Sequence, residues 1–207
     1  APTTAGLWER RAGGQEGDKK GKRLKILVVS QYFYPENVRI TDYCLSLKNR
    51  GHEVYVLTGK PNYPKGKYYT GYGWFSKKKE YWKGINIYRA NLILRGDSGG
   101  VRLVLNYFSF VLFASLRILF INKKIDKIFI FGSSPITIGI PGFLAARRFK
   151  AKSFLWIQDL WPESVKDAGG ITSKWILGVV DKMTRIIYSQ VNVLLVQSKA
   201  FIPYLKN

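Results

Sequence analysis

The stretch that decides the fold runs from Leu24 to Thr58 and reads LKILVVSQYFYPENVRITDYCLSLKNRGHEVYVLT. It begins with an almost wholly apolar run over 24–29, which is typical of a strand buried on both faces. From Ile40 onward, apolar residues recur three and four positions apart, as on one helix face, until Gly51 ends the helix. A second apolar run, 53–58, completes a strand, helix, strand order. The stretch therefore predicts a βαβ unit with parallel strands.

The same alternation continues along the rest of the chain. Strands are predicted over 85–90, 127–131, 152–157 and 191–196, and helices over 101–121, 135–149, 173–189 and 198–205. The simplest solution is an α/β fold with a doubly wound parallel sheet, formed by one domain over residues 24–207. Residues 1–23 have mixed charge and little periodicity, and we predict that they form a disordered extension.

Charge and composition limit the functions that this chain can have. Its 207 residues include 34 Lys and Arg against 13 Asp and Glu, a formal net charge of +21, which favours an anionic partner. The single cysteine, Cys44, excludes an internal disulfide and, with no signal peptide evident, favours a cytoplasmic location. The single histidine, His52, follows a helix end and is predicted to be structural, which argues against catalytic triads and multi-histidine zinc sites. We expect no metal and no bound cofactor.

Two carboxylates follow the predicted strand over 152–157. The segment 158–164 reads QDLWPES and places Asp159 and Glu163 where the apolar run ends. Because ligands of open parallel sheets bind beyond the carboxyl ends of the strands, both side chains are predicted to face a cleft. The alternative is that both only cap a helix that begins near Pro162.

Two further loops carry polar groups at strand ends. The loop over 30–37 lacks the glycines of a dinucleotide fingerprint, but Glu36 and Arg39 lie near a helix N-terminus, which attracts sugar-phosphate ligands. The alternative is that Glu36 merely caps that helix. Ser133 and Ser134 offer hydroxyls and N–H groups to a sugar or phosphate, or else form a plain turn with a serine cap.

An insertion over 68–83 interleaves aromatic side chains with lysines. Aromatic rings prefer the headgroup level of a bilayer, and lysines are attracted to anionic lipids. The expected membrane contacts are Trp74, Phe75, Lys77, Lys78, Lys79 and Trp82. Stacking of single-stranded nucleic acid and an ordinary surface hairpin are the alternatives.

The predicted helix over 101–121 is apolar almost all round and long enough to span a bilayer. Arg102 and Arg117 lie inside it, and each is costly at the bilayer centre. A helix that lies in the membrane interface, or one packed against the sheet, fits better than a spanning helix. We expect a sheet-packed helix with one lipid-facing edge.

Five motifs, in order and mostly at strand ends, together resemble a known family: SQYFYPENVR (30–39), RGHEV (50–54), TGKPNYPKG (58–66), GSSP (132–135) and QDLWPES (158–164). They resemble the amino-terminal half of a family 4 retaining glycosyltransferase of the WbuB-like (fucosamine-transferase-like) type. The resemblance implies a Rossmann-like, acceptor-side domain of a GT-B glycosyltransferase. It also implies that the carboxy-terminal donor domain is absent from this chain, so that this fragment alone is inactive.

The resemblance also implies roles for the polar residues. Asp159 and Glu36 are the expected catalytic residues, Asp159 by positioning or polarising the acceptor hydroxyl and Glu36 by lining the cleft near the sugar-phosphate. The expected substrate-binding residues are Arg39, Asn62, Tyr63, Ser133, Ser134 and Glu163. The implied partners are a nucleotide-sugar donor, a lipid-linked or polysaccharide acceptor of cell-surface glycan assembly, and the anionic inner face of the plasma membrane.

Two other functions stay open on the sequence. The chain is also consistent with a non-catalytic, membrane-associated scaffold or a subunit of a split glycosyltransferase. A basic nucleic-acid-binding module is the third possibility, but it predicts cations spread over one continuous face. The lysines here cluster instead beside tyrosines and tryptophans in one loop, so we expect no nucleic-acid partner.

Overall fold

The computed structural model describes residues 22–96, 100–164 and 173–205. The strands are β1 (Lys25–Val29), β2 (Glu53–Gly59), β3 (Lys79–Trp82), β4 (Ile85–Ala90), β5 (Lys127–Gly132), β6 (Lys152–Ile157) and β7 (Val193–Val196). The α-helices are α1 (Ile40–Asn49), α2 (Gly100–Ile118), α3 (Gly139–Phe149), α4 (Lys174–Ser189) and α5 (Ile202–Leu205). Short 3₁₀ turns occupy Ile136–Ile138 and Lys199–Phe201. The predicted disordered extension lies outside the described residues, apart from residues 22 and 23.

The strands form one sheet in the order β3-β4-β2-β1-β5-β6-β7. Every neighbouring pair is parallel except β3 with β4. The predicted α/β doubly wound sheet is confirmed. From β1 the chain first builds outward through β2 and then returns to place β5 on the other side, so the winding direction switches between β1 and β5.

The antiparallel edge strand β3 was not predicted from the sequence, which assigned its residues to the insertion. Its pairing places Trp82 opposite Ile85 and leaves a two-residue turn, Lys83 and Gly84. Both turn residues have positive φ, 45° and 81°, as a tight hairpin of matching twist requires. Because β3 has only four residues and begins within a lysine run, its alternation was too short to detect.

Helices cover both faces of the sheet. On one face α2, α3 and α4 pack over the side chains of β1 that include Leu27 and Val29. On the other face α1 packs over Ile26 and Val28. The first strand is therefore buried on both sides, as its continuous apolar run predicted.

Close backbone approach holds α3 against its neighbours. A Cβ atom added at Gly139 would lie 2.2 Å from the Ile187 side chain, and one at Gly142 would lie 2.3 Å from the Ile130 side chain. Only glycine fits at these contacts with the sheet and with α4. His52 accepts a hydrogen bond at Nδ1 from the backbone N–H of Leu24 at 3.4 Å, which confirms the structural role predicted for it.

Candidate functional site

A pocket of about 340 Å³ lies at the carboxyl edge of the sheet, where the winding direction switches between β1 and β5. Loops that follow four strands, the start of α1 and the middle of α2 converge there. Its walls are formed by Ser30, Tyr32, Val38, Arg39, Tyr63, Arg95, Tyr107, Phe131, Ser133 and Ser134. The switch point of an open α/β sheet is where such folds bind ligands.

The pocket wall is cationic and rich in hydroxyl groups. Arg39 and Arg95 line it, and among its described lining residues none is Asp or Glu. Burial, and next the neighbouring Tyr107, raise the pKa of the Tyr32 phenol above its ordinary value, so Tyr32 stays a protonated donor at neutral pH. The Arg95 guanidinium lies 5.6 Å from the Tyr63 ring centroid, in a cation–π contact. This wall suits a ligand with both hydroxyl groups and negative charge.

Glu36 joins the loop after β1 to the loop after β2. It is 3% exposed. One carboxylate oxygen accepts the backbone N–H groups of Asn62 and Tyr63, both at 2.8 Å, and the other accepts that of Phe33 at 3.0 Å. The α1 N-terminus has no side-chain cap, so Glu36 does not cap that helix. Its carboxylate holds the backbone that presents Tyr63 to the pocket.

The electrostatics of Glu36 follow from this burial. Desolvation raises the pKa of its carboxyl, and the three backbone donors, of Tyr63, Asn62 and Phe33, oppose that shift. The geometry gives Glu36 a positioning role, because its oxygens are occupied by backbone donors and it does not line the pocket. Direct participation of Glu36 in catalysis stays a prediction.

Asp159 joins the loop after β6 to the loop after β5. Its Oδ2 accepts the Ser134 hydroxyl at 2.7 Å and the Ser134 backbone N–H at 3.1 Å. These bonds fix the position of Ser134, which lines the pocket beside Ser133. The 3₁₀ turn that follows has no side-chain cap, so the serines do not act as its cap.

The structure brings most of the predicted site residues together. Arg39, Tyr63, Ser133 and Ser134 line the pocket, while Glu36 and Asp159 hold its loops. The Asn62 side chain is fully buried and donates to the Lys60 carbonyl at 2.9 Å, which is a different position from the predicted substrate contact.

Glu163 lies apart from this constellation. It is exposed and does not line the pocket. Its charge acts instead on Tyr188 of α4, whose pKa is raised first by burial and then by Glu163. Its predicted substrate contact therefore has no support from the pocket geometry.

Six of the ten lining residues were missed in the sequence, among them Tyr32, Arg95 and Tyr107. Arg95 follows the end of β4, so it carried the same strand-end signal as Ser133. Tyr107 is one aromatic residue in an apolar helix, and nothing in its spacing indicates that it reaches the pocket. Knowledge of the strand order is needed to see that β4 and α2 meet the β1 loop.

Polar groups fasten α2 to the sheet. The Asn106 amide receives a hydrogen bond from Gln31 at 2.8 Å and donates to the Ile93 carbonyl at 2.6 Å. The Ser109 hydroxyl accepts the Ile93 backbone N–H at 2.8 Å. Phe110 and Ala114 add fully buried apolar contacts. The predicted packing of this helix against the sheet is confirmed.

The opposite side of α2 is apolar and exposed. Eight residues follow one another along it and past its end, and we call them the apolar ridge: Val101, Val104, Leu105, Phe108, Leu112, Leu116, Leu119 and Phe120. By length and composition α2 could cross a membrane, and 28% of its apolar window is buried in the protein. The inward side of this helix combines polar Asn106 and Ser109 with apolar Phe110, Ala114 and Ile118. The outward side is largely apolar, whereas a water-soluble surface helix presents polar residues there.

The insertion lies beside the apolar ridge. Trp74 contacts Phe113 of α2 edge to face, with ring centroids 5.3 Å apart, and Phe75 is 91% exposed. The lysine side chains of 77–79 are also exposed. Trp82 differs from the predicted membrane contact, because its ring stacks on Tyr34 at 4.3 Å on the inner side of β3. Tyr81 faces outward at that edge instead.

Comparison with known proteins identifies the fold. No protein-family model and no curated protein sequence matches the chain. Among solved structures it is similar to a sucrose-phosphate synthase from Thermosynechococcus elongatus, with TM-score 0.58 and 13% identity over 89% of this chain and 45% of that one. A trehalose-6-phosphate protein from E. coli, bound with UDP-2-fluoro glucose, gives TM-score 0.56 and 10% identity over 88% and 42%.

A trehalose 6-phosphate synthase from Burkholderia multivorans gives TM-score 0.51 and 10% identity over 89% of this chain and 42% of that one. These neighbours are GT-B glycosyltransferases, and the chain spans less than half the length of each. The likeness confirms a Rossmann-like α/β fold of the GT-B kind. The finer resemblance to WbuB-like enzymes stays a prediction.

Proposed function

We propose that this chain forms the acceptor-side half of a retaining glycosyltransferase, which moves a sugar from a nucleotide-sugar donor to a lipid-linked or polysaccharide acceptor. The observation that carries the proposal is the pocket at the β1/β5 switch point, lined by two arginines and by serine and tyrosine hydroxyls. The GT-B fold of the neighbours supports it, and so does the UDP-sugar named for one of them. A second Rossmann-like domain would bind most of the donor.

Each residue of the pocket would have its own role in binding or positioning the substrates. Arg39 and Arg95 offset the negative charge of a phosphate, since guanidinium groups bind phosphate oxygens in a forked geometry. Ser133 and Ser134 bind sugar hydroxyls, and Asp159 orients Ser134 through two hydrogen bonds. In a retaining mechanism of this family, the donor phosphate accepts the acceptor proton. A protein nucleophile is then unnecessary, and positioning supplies the catalysis.

Calorimetric titration with a short-chain prenyl diphosphate sugar tests the acceptor pocket on this chain. Arg95→Gln is expected to weaken binding about tenfold, because a charge-assisted hydrogen bond is lost. Arg50→Gln, which removes an equal charge from the exposed end of α1, is the matched control and should leave affinity unchanged. Equal affinities for wild type and Arg95→Gln would remove Arg95 from the site.

Transfer activity tests the role of Asp159 in an enzyme that includes the donor domain. Asp159→Ala releases Ser134 and is expected to reduce turnover about a hundredfold, as is typical when a positioning group is lost. Near wild-type turnover in this variant would show that Asp159 is dispensable. A chain that binds acceptor but never supports transfer with any donor domain would favour the non-catalytic scaffold.

We also propose that the apolar ridge docks on the anionic cytoplasmic face of a membrane, where a lipid-linked acceptor resides. Exposed apolar side chains that adjoin one another along a helix are typical of a surface that binds a membrane or another protein. Exposed cations flank it, namely Lys77, Lys78, Lys79, Arg102, Lys123 and Lys124. Apolar burial and attraction to anionic lipid act together in such interfacial helices. Cys44 is a free, buried thiol, consistent with a reducing compartment.

Vesicle flotation measures this docking. The double variant Phe108→Ser and Leu112→Ser is expected to lose at least tenfold in affinity for vesicles of phosphatidylcholine with anionic lipid. The matched control is Val179→Ser with Ile186→Ser, two similarly exposed apolar positions on α4. Equal losses in both doubles would contradict a specific role for the ridge. Tight, salt-sensitive binding to single-stranded nucleic acid without vesicle binding would favour the nucleic-acid module.

A further inference from the structure

A second pocket lies between the C-terminal half of α2 and the hairpin of β3 and β4. Its volume is about 350 Å³. Its walls combine cationic side chains with apolar ones: Lys78, Arg89, Ala90, Asn91, Phe113, Leu116, Arg117 and Phe120. Leu116 and Phe120 also belong to the apolar ridge, so this pocket opens onto the surface that faces the membrane in the proposed orientation. It is distinct from the pocket at the β1/β5 switch point, about 15 Å away along α2 from Tyr107 to Arg117.

Arg117 has unused hydrogen-bonding capacity in this second pocket. Its Nη2 donates to the Lys78 carbonyl at 2.7 Å, which fixes the guanidinium in place. Its Nε is buried and has no hydrogen-bond partner among the described residues. A guanidinium carries five N–H donors, and a buried donor without an acceptor costs free energy. A phosphate oxygen would satisfy this donor.

Arg89, in contrast, is already satisfied. Its fully buried guanidinium binds the Glu80 carboxylate at 3.1 Å and donates to the Gly59 carbonyl at 3.1 Å. It lines the second pocket, but its charge is paired with Glu80 and it is not free to bind a ligand. Arg117 and Lys78 are therefore the side chains that remain to bind an anion.

The surroundings of the second pocket have an excess of positive charge. Lys60 is fully buried, and its Nζ has a hydrogen bond of 3.4 Å to Ser76. Burial, and next the charge of Arg89, lower the pKa of Lys60 to about 8; Glu80 opposes this shift, and Lys78 and Arg117 add to it. Among the charged groups that act on Lys60, cations outnumber carboxylates, so a bound anion would relieve their repulsion.

We propose that the second pocket binds the phosphate headgroup of an anionic membrane lipid, between Arg117 and Lys78, with the acyl chains over Phe113, Leu116 and Phe120. The inference rests on the membrane docking proposed above and adds a specific headgroup site to it. Charge complementarity selects an anion, and the apolar rim selects one attached to hydrocarbon. The site would orient the protein on the bilayer beside its acceptor pocket.

Charge-preserving substitutions distinguish a specific headgroup site from non-specific electrostatic attraction to an anionic membrane. The whole chain is floated with vesicles of phosphatidylcholine containing 20% phosphatidic acid. Arg117→Lys keeps the charge but loses the forked donors, and is expected to bind about tenfold more weakly. Arg50→Lys, at the exposed end of α1, makes the same exchange outside the pocket and the ridge and should bind as wild type does. Equal binding by wild type and Arg117→Lys would overturn the headgroup site.

A direct measurement avoids reliance on a variant that folds poorly. The arginine Nε–H resonances are followed by NMR during titration with dihexanoyl phosphatidic acid. The Arg117 resonance is expected to shift and its solvent exchange to slow, whereas that of Arg50 stays unchanged. An Arg117 resonance that does not respond would overturn the site.

The remaining outcomes identify the ligand source and separate the two proposals. Inorganic phosphate at constant ionic strength is expected not to release the protein from vesicles; release at submillimolar phosphate would overturn a lipid ligand in favour of a soluble anion. Loss of binding by the ridge double with none by Arg117→Lys would leave docking intact and remove the headgroup site. Wild-type chain that fails to float would overturn both.

Discussion

The loops at the carboxyl edge of the sheet bury a charged side chain, whereas the outer side of α2 exposes apolar side chains to water. At the loops, Glu36 is buried, and its carboxylate is matched by three backbone donors. Along the outer side of α2, large apolar side chains such as Phe120, 66% exposed, are left uncovered by the part of the chain that the structure describes. A buried polar group and an exposed apolar patch are the observations that carry functional information. The first predicts a preorganised pocket and the second a docking surface.

The largest expected effect separates the two sides of α2. Phe110→Ala, on the buried side, should lower the free energy of unfolding by about 4 kcal/mol, as core aromatic truncations do. Phe108→Ala, two residues away on the apolar ridge, should change it by less than about 0.5 kcal/mol. Urea denaturation of both variants measures the difference. A large loss for Phe108→Ala would mean that the ridge contributes to the fold of the chain alone.

The next effect tests the buried loop junction. Glu36→Ala leaves three backbone N–H groups without acceptors and should cost about 3 kcal/mol of unfolding free energy. Glu163→Ala, an exposed carboxylate, is the control and should cost less than about 0.5 kcal/mol. If Glu36→Ala kept full stability while abolishing transfer in the complete enzyme, Glu36 would be a catalytic residue and not a positioning one.

A smaller effect concerns Lys60, the buried cation between the two regions. Its pKa is lowered to about 8, first by burial and then by Arg89, from about 10.4 in the unfolded chain. Between these values the unfolded chain holds a proton that the folded chain has released, so stability rises with pH across this window. Below about pH 8 Lys60 is charged in both the folded and the unfolded chain, and burying that charge lowers the stability of the folded chain.

Lys60→Met removes that cost and is expected to stabilise the fold at pH 7 by on the order of 2 kcal/mol. The advantage of the variant should shrink as the pH rises from 8 towards 10.5. Denaturation at a series of pH values gives this difference directly. An advantage that is independent of pH would place its origin in packing alone.

The sequence predicted most of the fold because the strands are apolar on both sides and the helices are amphipathic. The strands over 85–90 and 152–157 were predicted with the bounds that the structure shows. β3 was missed because four residues beside a lysine run carry too little alternation. The helix predicted from Pro135 begins with a 3₁₀ turn and becomes an α-helix at Gly139, since the strand-end turn extends further than the periodicity indicates.

The candidate site was predictable in part. Strand-end motifs identified Arg39, Tyr63, Ser133 and Ser134, because the carboxyl ends of parallel strands meet at one edge. The direction in which each side chain points does not follow from spacing, so the sequence predicts a ligand contact for Asn62, whose side chain is buried. For the same reason the sequence predicts a membrane contact for Trp82, whose ring stacks on Tyr34.

The adjacency of Tyr107 and Phe108 has a consequence for how acceptor would be found. Tyr107 lines the pocket and Phe108, the next residue, belongs to the ridge. On the proposed membrane, the reacting sugar is then held at headgroup depth, and the lipid need not leave the bilayer. The enzyme and its acceptor would then meet by diffusion within the plane of the membrane, so turnover would follow the surface density of the acceptor. Diluting that acceptor with inert lipid slows transfer even when its bulk concentration is held constant.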